Sequence, residues 1–123
     1  MMIFFASSKL ISGFSEEITP KEYKDRVHNG TFAEVLQTCA IEPGDVFYVP
    51  AGRVHGIGAG AFVAEIQQTS DITYRIFDYN RKDKDGKSRE LHTSQAMDAI
   101  NFSDVQDDFR TEYERIQNLS LIH

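Results

Sequence analysis

The pattern of polar and apolar positions predicts two short helices near the front of the chain. Thr19, Pro20 and Glu22 have the identities of an N-cap residue, a first helical residue and the third-position glutamate of a capping box. The helix that they open is predicted to run from Pro20 to about His28. Gly30 follows where a residue in the left-handed conformation ends many helices.

Three other stretches also have helical patterns. Thr31 and Glu34 repeat the capping box before an apolar run, so a second short helix is expected directly after the first. A further helix, capped at its first or second residue, is predicted over 93–100. Between 103 and 117 the apolar residues of a charged segment recur at helix-like spacing, namely Val105, Phe109, Tyr113 and Ile116.

Most of the remaining chain has the pattern of short strands. A buried strand is expected over 1–5, and a β-branched and aromatic strand over 45–49. The side chains of residues 61–69 alternate between the two faces of a strand, and a further strand is predicted over 72–79. A polar turn of the hairpin type follows at 84–87. Short strands with strong turns and accessory helices predict an antiparallel sandwich or a small barrel.

Length and composition limit the kinds of protein that this chain can be. The chain has 123 residues, enough for one domain, and 13 Lys and Arg against 19 Asp and Glu give a net charge of −6. No basic block stands out, which argues against nucleic acid and anionic membranes as partners. The apolar runs are much shorter than the roughly 20 residues of a membrane helix. The single cysteine, Cys39, excludes an internal disulfide, and a cytoplasmic location is expected.

The densest candidate for chemistry is the run that ends at His55. Gly44, Pro50 and Gly52 indicate a strand and then a turn, and the turn aims the imidazole back across the sheet. A neutral imidazole fixed in this way suits Zn²⁺ or Fe²⁺. On spacing alone a histidine after a turn is more often structural, so both interpretations stay open.

The glycines within 56–60 invite comparison with a phosphate-binding loop. Their spacing is G-x-G-x-G, and the residues that follow alternate like a strand instead of opening a helix. A tight turn between two strands is therefore the better interpretation of these glycines.

Polar side chains on the predicted strands form a second candidate group. If the strand over 61–69 pairs antiparallel with the next one, Glu65 and Gln67 lie near Arg75. Such residues either face solvent, as charged side chains mostly do, or line the cavity of a barrel. Asp71 has the simpler interpretation of a turn residue.

Four strings of residues, in order along the chain, carry a resemblance to a known family: Gly44-Asp-Val-Phe-Tyr-Val-Pro-Ala-Gly-Arg-Val-His55, Ala64-Glu-Ile-Gln-Gln-Thr-Ser-Asp-Ile-Thr-Tyr-Arg-Ile-Phe-Asp-Tyr79, Arg81-Lys-Asp83 and Arg89-Glu-Leu-His92. With them the chain resembles the type I mannose-6-phosphate isomerases, a zinc-dependent branch of the cupin superfamily. The segment 13–36 also resembles the helical insertion of bacterial members. The resemblance implies a mainly β fold with accessory helices, an incomplete cupin-like antiparallel barrel or jelly roll. It would form a single partial domain over 1–123, with the helical insertion over 15–38.

The same resemblance implies a reaction and a set of site residues. The family interconverts mannose 6-phosphate and fructose 6-phosphate by moving a proton between C1 and C2 through an enediolate. His55 matches the last zinc ligand of the family, and Arg75 matches an arginine placed near the sugar, where it can stabilise a developing oxyanion. Glu65, Asp71 and Gln67 are expected to line the substrate site.

The chain also departs from the family pattern. A Gln-x-His pair and a glutamate supply the other zinc ligands in the family, and all of them precede the histidine that His55 matches. Here the strand over 1–5 resembles the strand just after that glutamate, and Ala59 stands where the general cupin motif has asparagine. The chain is therefore expected to be an interior fragment that binds zinc weakly or not at all. By itself we expect it to be inactive, since catalytic zinc usually has three protein ligands.

A second class of function stays open beside the isomerase. The chain could be a non-catalytic cupin-like module that binds small molecules or dimerises. Strand edges without neighbours invite pairing with another chain, so a homodimer through exposed strand edges is the partner that this alternative predicts. Light scattering at several protein concentrations distinguishes it from a monomer.

Overall fold

The computed structural model describes residues 1–68, 73–76, 84–87 and 91–113. Within these ranges six strands form two antiparallel sheets: β1 (Met2–Phe4), β2 (Ser8–Phe14), β3 (Leu36–Ile41), β4 (Val46–Phe47), β5 (His55–Ile57) and β6 (Val63–Glu65). Sheet A has the strand order β4-β1-β6, and sheet B has the order β3-β2-β5. The predicted mainly β fold with accessory helices is confirmed, and the strands form no closed barrel in the described part of the chain.

The first predicted helix is confirmed at both ends. Helix α1 spans Pro20–Asn29, and the Thr19 hydroxyl oxygen accepts a hydrogen bond of 3.1 Å from the Glu22 N–H. Gly30 has a φ of 78° and donates its N–H to the Arg26 carbonyl. Both signals are local, since each end is set by residues adjacent in sequence, so the sequence was sufficient to predict them.

The prediction of a second capping box is wrong, although a short helix does follow α1. Residues Phe32–Val35 form a 3₁₀ helix, and the Thr31 side chain makes no capping bond to it. The Thr31 backbone is not extended, as an N-cap residue usually is. Its hydroxyl and its N–H instead contact the Asn29 side-chain oxygen at 2.5 and 3.1 Å. The side chain therefore closes the turn after α1 instead of opening the next helix.

The later helical predictions are only partly right. Helix α2 spans Thr93–Met97, shorter than predicted, and its N-cap residue is His92 without a side-chain bond. Residues 103–113 contain no helix. Val105 pairs with Phe14 in an isolated parallel bridge, and Phe109 is buried in the core. The segment 103–113 is therefore a non-helical strap with one β-bridge, and the helix-like spacing of its apolar residues does not correspond to a helix.

The strand predicted over 72–79 is not seen among its described residues. Residues 73–76 have no regular secondary structure, and the others lie outside the described ranges. The turn predicted at 84–87 is present, with Gly86 at a φ of 78°, but the arms of its predicted hairpin also lie outside the described residues.

The first of two apolar cores fills the space between the sheets. Sheet A contributes Met2, Phe4 and Phe47, and the rings of Phe4 and Phe47 pack edge to face at 5.7 Å. The remaining buried members come from sheet B and the strap: Leu10, Cys39, Ile41 and Phe109. The strand predicted over 1–5 is confirmed over Met2–Phe4, in the middle of sheet A. Met2 and Phe4 are buried as expected, whereas Met1 and Phe5 are exposed.

The second core covers the opposite face of sheet B. Its buried members are Phe14, Ile18, Tyr23, Phe32, Val35, Leu36 and Val54. Leu10 belongs to the first core, whereas its neighbour Ile11 packs against the second. Because side chains alternate along a strand, β2 supplies both cores.

The strap covers the outer edges of β3 and β4. The Arg110 guanidinium bonds the Ala40 carbonyl and, at 3.1 Å, the Asp45 carboxylate. Thr111 donates its N–H to the Val46 carbonyl at 2.8 Å and accepts the Tyr48 N–H through its hydroxyl at 2.8 Å. Three backbone groups at these edges, the Ala40 and Val46 carbonyls and the Tyr48 N–H, therefore have partners in the strap. No described helix has both the length and the apolar character needed to cross a bilayer.

Candidate functional site

A tight turn before β5 sets the position of His55. The Arg53 N–H donates to the Pro50 carbonyl at 3.2 Å, and Gly52 has a φ of 90°, which residues with a side chain rarely adopt. The Gly52 carbonyl accepts the Asn101 N–H at 2.9 Å. The turn is thereby fixed against the segment after α2, and the chain leaves it directly into β5.

A buried ion pair also fixes this turn. Arg53 bonds both oxygens of Asp104, at 2.8 and 3.2 Å, and the two side chains are only 10% and 9% exposed. The Arg53 guanidinium also donates to the Tyr48 carbonyl and lies 4.6 Å from the centre of the Phe109 ring. The turn that leads to His55 is therefore held to the strap by charge, hydrogen bonds and a cation–π contact.

His55 lies on the inner face of sheet B. It is opposite Ser12 in β2, and Ser12 is two residues from Leu10, a member of the first core. Hydrogen bonds join Gly58 to Lys9 and Gly13 to Val54. The Ser12–His55 pair between them is therefore a non-hydrogen-bonded pair, in which opposite side chains are closest. His55 is itself exposed, so its ring lies at the rim of the space between the sheets.

The hydrogen bonding of His55 determines which ring nitrogen can bind a ligand. Its Nδ1 lies 3.1 Å from the Arg53 carbonyl. A carbonyl oxygen can only accept, so this contact places a proton on Nδ1, and in the neutral imidazole the lone pair is then on Nε2. Nε2 is then the atom of His55 that could bind a metal ion or accept a proton.

Ser12 is a site residue that the sequence did not indicate. The residue is 1% exposed, and its hydroxyl has no hydrogen-bond partner in the part of the chain that the structure describes. The register of β2 shifts between Ile11 and Phe14, and Gly13 has a φ of 67° at this irregularity. No sequence signal predicts the shift, because it depends on the strap, whose Phe109 ring occupies the space beside Gly13.

Glu65 lies on the inner face of the other sheet. It is opposite Met2, and Val63 is opposite Phe4, so the inward side of β6 follows the buried residues of β1. Glu65 is nevertheless exposed, as is Gln67 just beyond the strand. His55 and Glu65 therefore lie on facing sheets, each at an exposed position on the inward side.

Two hydrogen bonds to His92 hold the backbone of Arg75 in place. The Arg75 N–H donates to His92 Nδ1 at 3.0 Å, and the His92 N–H donates to the Arg75 carbonyl at 2.7 Å. Tyr74 packs on the His92 ring, and Ile76 packs against the second core. The sequence did not single out His92 as a positioning residue. The pairing predicted between 61–69 and 72–79 is not seen among the described residues, and Asp71 lies outside them.

The donor set of the described residues does not fit a zinc ion. Within the described ranges no three His, Cys, Asp or Glu side chains lie close enough together to hold a metal. His55 offers one nitrogen, whereas a catalytic zinc usually has three protein ligands.

Comparison with known proteins gives a consistent picture. No protein-family model matches the chain. ManA, a mannose-6-phosphate isomerase of Bacillus subtilis, is 41% identical over 101 residues, which are 82% of this chain and 32% of ManA. The mannose-6-phosphate isomerase of Streptococcus mutans is 39% identical over 85 residues, 69% of this chain and 27% of that protein.

Solved structures show the same relationship. The crystal structure of the mannose 6-phosphate isomerase from Bacillus subtilis superposes with a TM-score of 0.73 at 35% identity, over 81% of this chain and 32% of that one. A structure from Archaeoglobus fulgidus, at a TM-score of 0.68 and 19% identity, shares the fold. The chain therefore spans about a third of the length of the proteins it matches.

Proposed function

Since the chain is related to mannose-6-phosphate isomerases over about a third of their length, we propose that it carries one part of such an isomerase site. The proposed reaction interconverts mannose 6-phosphate and fructose 6-phosphate through an enediolate. The 41% identity to ManA is the observation that carries the proposal. The placement of His55, with Nε2 available on the inner face of sheet B, supports it.

Each site residue has a proposed role. His55 supplies one ligand nitrogen, and Glu65, Gln67 and Asp71 line the substrate site. Arg75 stabilises the negative charge that develops on the sugar oxygens, an effect worth about 3–4 kcal/mol for a preorganised donor. The two backbone bonds to His92 hold the main chain of Arg75 in place for this role.

The isolated chain is proposed to lack a complete site. Its described residues offer no group of three metal-binding side chains. In the family that the chain resembles, the other ligands precede the position of His55, so we propose that they belong to polypeptide outside this chain. We therefore expect the chain alone to bind zinc weakly and to show no turnover of mannose 6-phosphate.

The test is a coupled isomerase assay on the purified chain with and without added Zn²⁺. The expected result is no turnover above that of the buffer. Turnover that is abolished by His55→Ala, and kept by the control His28→Ala in α1, would contradict the incomplete site. Zinc titration by calorimetry gives a second readout, and a tight site with one ion per chain would contradict the proposal as well.

A non-catalytic module that dimerises is the second candidate. Within the described residues β5 and β6 each pair with one neighbouring strand, so each has a second edge available for strand addition. Sedimentation at several protein concentrations tests this function. A monomer at every concentration rules out the dimerising module, and a dimer that forms without zinc supports it.

A further inference from the structure

The outward side of sheet A is composed of apolar side chains. Ile3 in β1 is opposite Val46 in β4 and Ala64 in β6, and residues directly opposite in a sheet share a face. The pairing continues at both ends, through hydrogen bonds between Phe5 and Phe62 and between Ile66 and Met1. We call this surface the outer face of sheet A: Met1, Ile3, Phe5, Val46, Tyr48, Phe62, Ala64 and Ile66.

Most of this face is exposed although its composition is that of a core: six of its eight residues are exposed, Ile3 is half-buried and Val46 is buried. Phe62 is 67% exposed, Ile66 is 62% exposed, and the ring of Phe62 contacts that of Phe5 at 5.7 Å. None of the eight side chains carries a charge, while the whole chain has a net charge of −6. Clustered exposed aromatic and aliphatic residues of this kind mark an interaction surface.

The two sheets differ in what covers their outward sides. The outward side of sheet B is buried under the second core, to which α1 contributes Tyr23 and the 3₁₀ helix contributes Phe32 and Val35. The corresponding side of sheet A is exposed along β6 and at both ends of β1, while Ile3 is half-buried and Val46 is buried. A sheet with one apolar face inward and another outward is typical of a middle layer, which needs a covering on both sides.

The relatives indicate what provides that covering. The match to ManA takes up 32% of ManA, so about two thirds of that polypeptide has no counterpart here. A polypeptide of that length needs surfaces to pack against, and a face of eight uncharged side chains is suited to burial in an obligate interface. The one charge at its edge, the Met1 ammonium, is bonded to the Ile66 carbonyl. We propose that the outer face of sheet A is the surface on which the remaining polypeptide of the isomerase packs. This inference rests on the proposed function.

The test uses the full chain together with the missing parts of its relative. The tagged chain is co-expressed with the part of ManA that lies outside its match, and the captured polypeptide is quantified. We expect capture by the wild-type chain, and a loss of about tenfold or more with Phe62→Lys/Ile66→Lys, since burying unpaired lysines weakens an interface strongly. The matched control is Leu91→Lys/Val105→Lys, which changes two exposed apolar residues outside this face and should keep full capture.

A second measurement needs no substitution. Hydroxyl-radical footprinting of the captured complex should show about threefold or greater protection of Phe5, Phe62 and Ile66 relative to the free chain, with Leu91 unchanged. This readout keeps the test valid if the lysine variant fails to fold.

The outcomes separate the inference from the function on which it rests. Equal capture by the wild-type chain and the Phe62→Lys/Ile66→Lys variant, or no capture and no protection, overturns the inference. A dimer of the free chain that the same lysines dissociate also overturns it, because a second copy would then be the occupant. Specific capture without isomerase activity leaves this inference in place and counts against the proposed function.

Discussion

At the scale of single residues, Ser12 and His55 form a pair with opposite properties. The imidazole is exposed, with one nitrogen bound to the backbone and the other available. The hydroxyl across from it is buried and unpartnered. A buried hydroxyl without a partner costs about 1–3 kcal/mol, so Ser12 is a destabilising residue beside the candidate ligand.

Ser12→Ala is therefore expected to raise the free energy of unfolding by about 1 kcal/mol, because it removes a desolvated hydroxyl that gains nothing in return. Chemical denaturation measures the change. The matched control is Ser8→Ala in the same strand, whose hydroxyl donates to the Ala59 carbonyl at 2.8 Å and whose loss should lower stability or leave it unchanged. Destabilisation by Ser12→Ala would show that the hydroxyl has a partner, such as an ordered water.

Tyr23 gives a pH dependence whose sign follows from its burial. Burial raises the pKa of its phenol from 10.0 to about 12, and the hydroxyl donates to the Thr93 carbonyl at 3.0 Å. Between these values the folded protein keeps a proton that the unfolded chain loses. The stability contributed by this group is complete below pH 10 and is lost as the pH rises toward 12.

Tyr23→Phe should flatten that alkaline loss and lower stability at pH 7 by about 1–2 kcal/mol, since the Thr93 carbonyl loses its donor. Denaturation midpoints at pH 7, 9, 10 and 11 measure both effects. Tyr74→Phe, at an exposed phenol, is the control that should leave the alkaline profile unchanged. If Tyr23→Phe lost stability equally steeply at alkaline pH, another titrating group would be the cause of that loss.

At the scale of elements, the turn before β5 and the strap depend on each other. The Arg53–Asp104 pair joins them, and Gly13 in β2 leaves the space that the Phe109 ring occupies. The placement of His55 thus depends on a segment about 50 residues later in the chain.

Asp104→Ala should lower the free energy of unfolding by about 3 kcal/mol or more, because it leaves the Arg53 guanidinium buried without its counter-ion. The control is Glu34→Ala, which removes one of the two carboxylates that Arg26 pairs with, at a side chain that is 71% exposed. That change should lower the free energy of unfolding by less than about 0.5 kcal/mol. Chemical denaturation of both variants makes the comparison, and equal losses would contradict a special role for the buried pair.

Gly13→Ala should destabilise the irregular turn of β2 by about 3 kcal/mol or more, since a Cβ there would lie 2.4 Å from the Phe109 ring and 2.7 Å from the Asp104 carbonyl. Gly60→Ala is the control. Gly60 has a similar φ of 79°, but nothing lies within 4 Å of its Cβ position, so only the backbone cost of about 1 kcal/mol remains. Similar melting temperatures for the two variants would argue against the close approach of the strap.

How much of each element the sequence predicted depends on how local its causes are. The ends of α1 were predicted because Thr19 and Gly30 act on adjacent residues. The strap was not, because Phe109 is placed by a core built from both sheets and Thr111 by the edge of β4. The same holds for the site: the turn before His55 was predictable from proline and glycine, whereas the unpartnered hydroxyl opposite was not.

At the scale of the whole molecule, the first core depends on both sheets and the strap together. Cys39 is buried in it, and burial raises the pKa of its thiol. A buried thiol with a raised pKa is a poor nucleophile, so its reaction reports the opening of this core.

Alkylation of Cys39 at pH 8 should be at least about tenfold slower in the folded chain than in denaturant, and its rate should rise with the same midpoint as unfolding followed by circular dichroism. The chain unfolded in urea is the control for the intrinsic rate. Fast alkylation under native conditions would show that the space between the sheets opens without global unfolding.

The order of strands in sheet A has a consequence for how the molecule is made. β1 is the central strand, and its partners Val46–Phe47 and Val63–Glu65 come about 40 and 60 residues later. During synthesis β1 therefore emerges before both of its partners, and Met2 and Phe4 can be buried only after β6 has been made. Such long-range pairing is slow and leaves nascent apolar segments open to wrong contacts. Translation speed and chaperones should therefore affect the yield of this chain more than they affect that of a protein whose first strand pairs with its immediate successor.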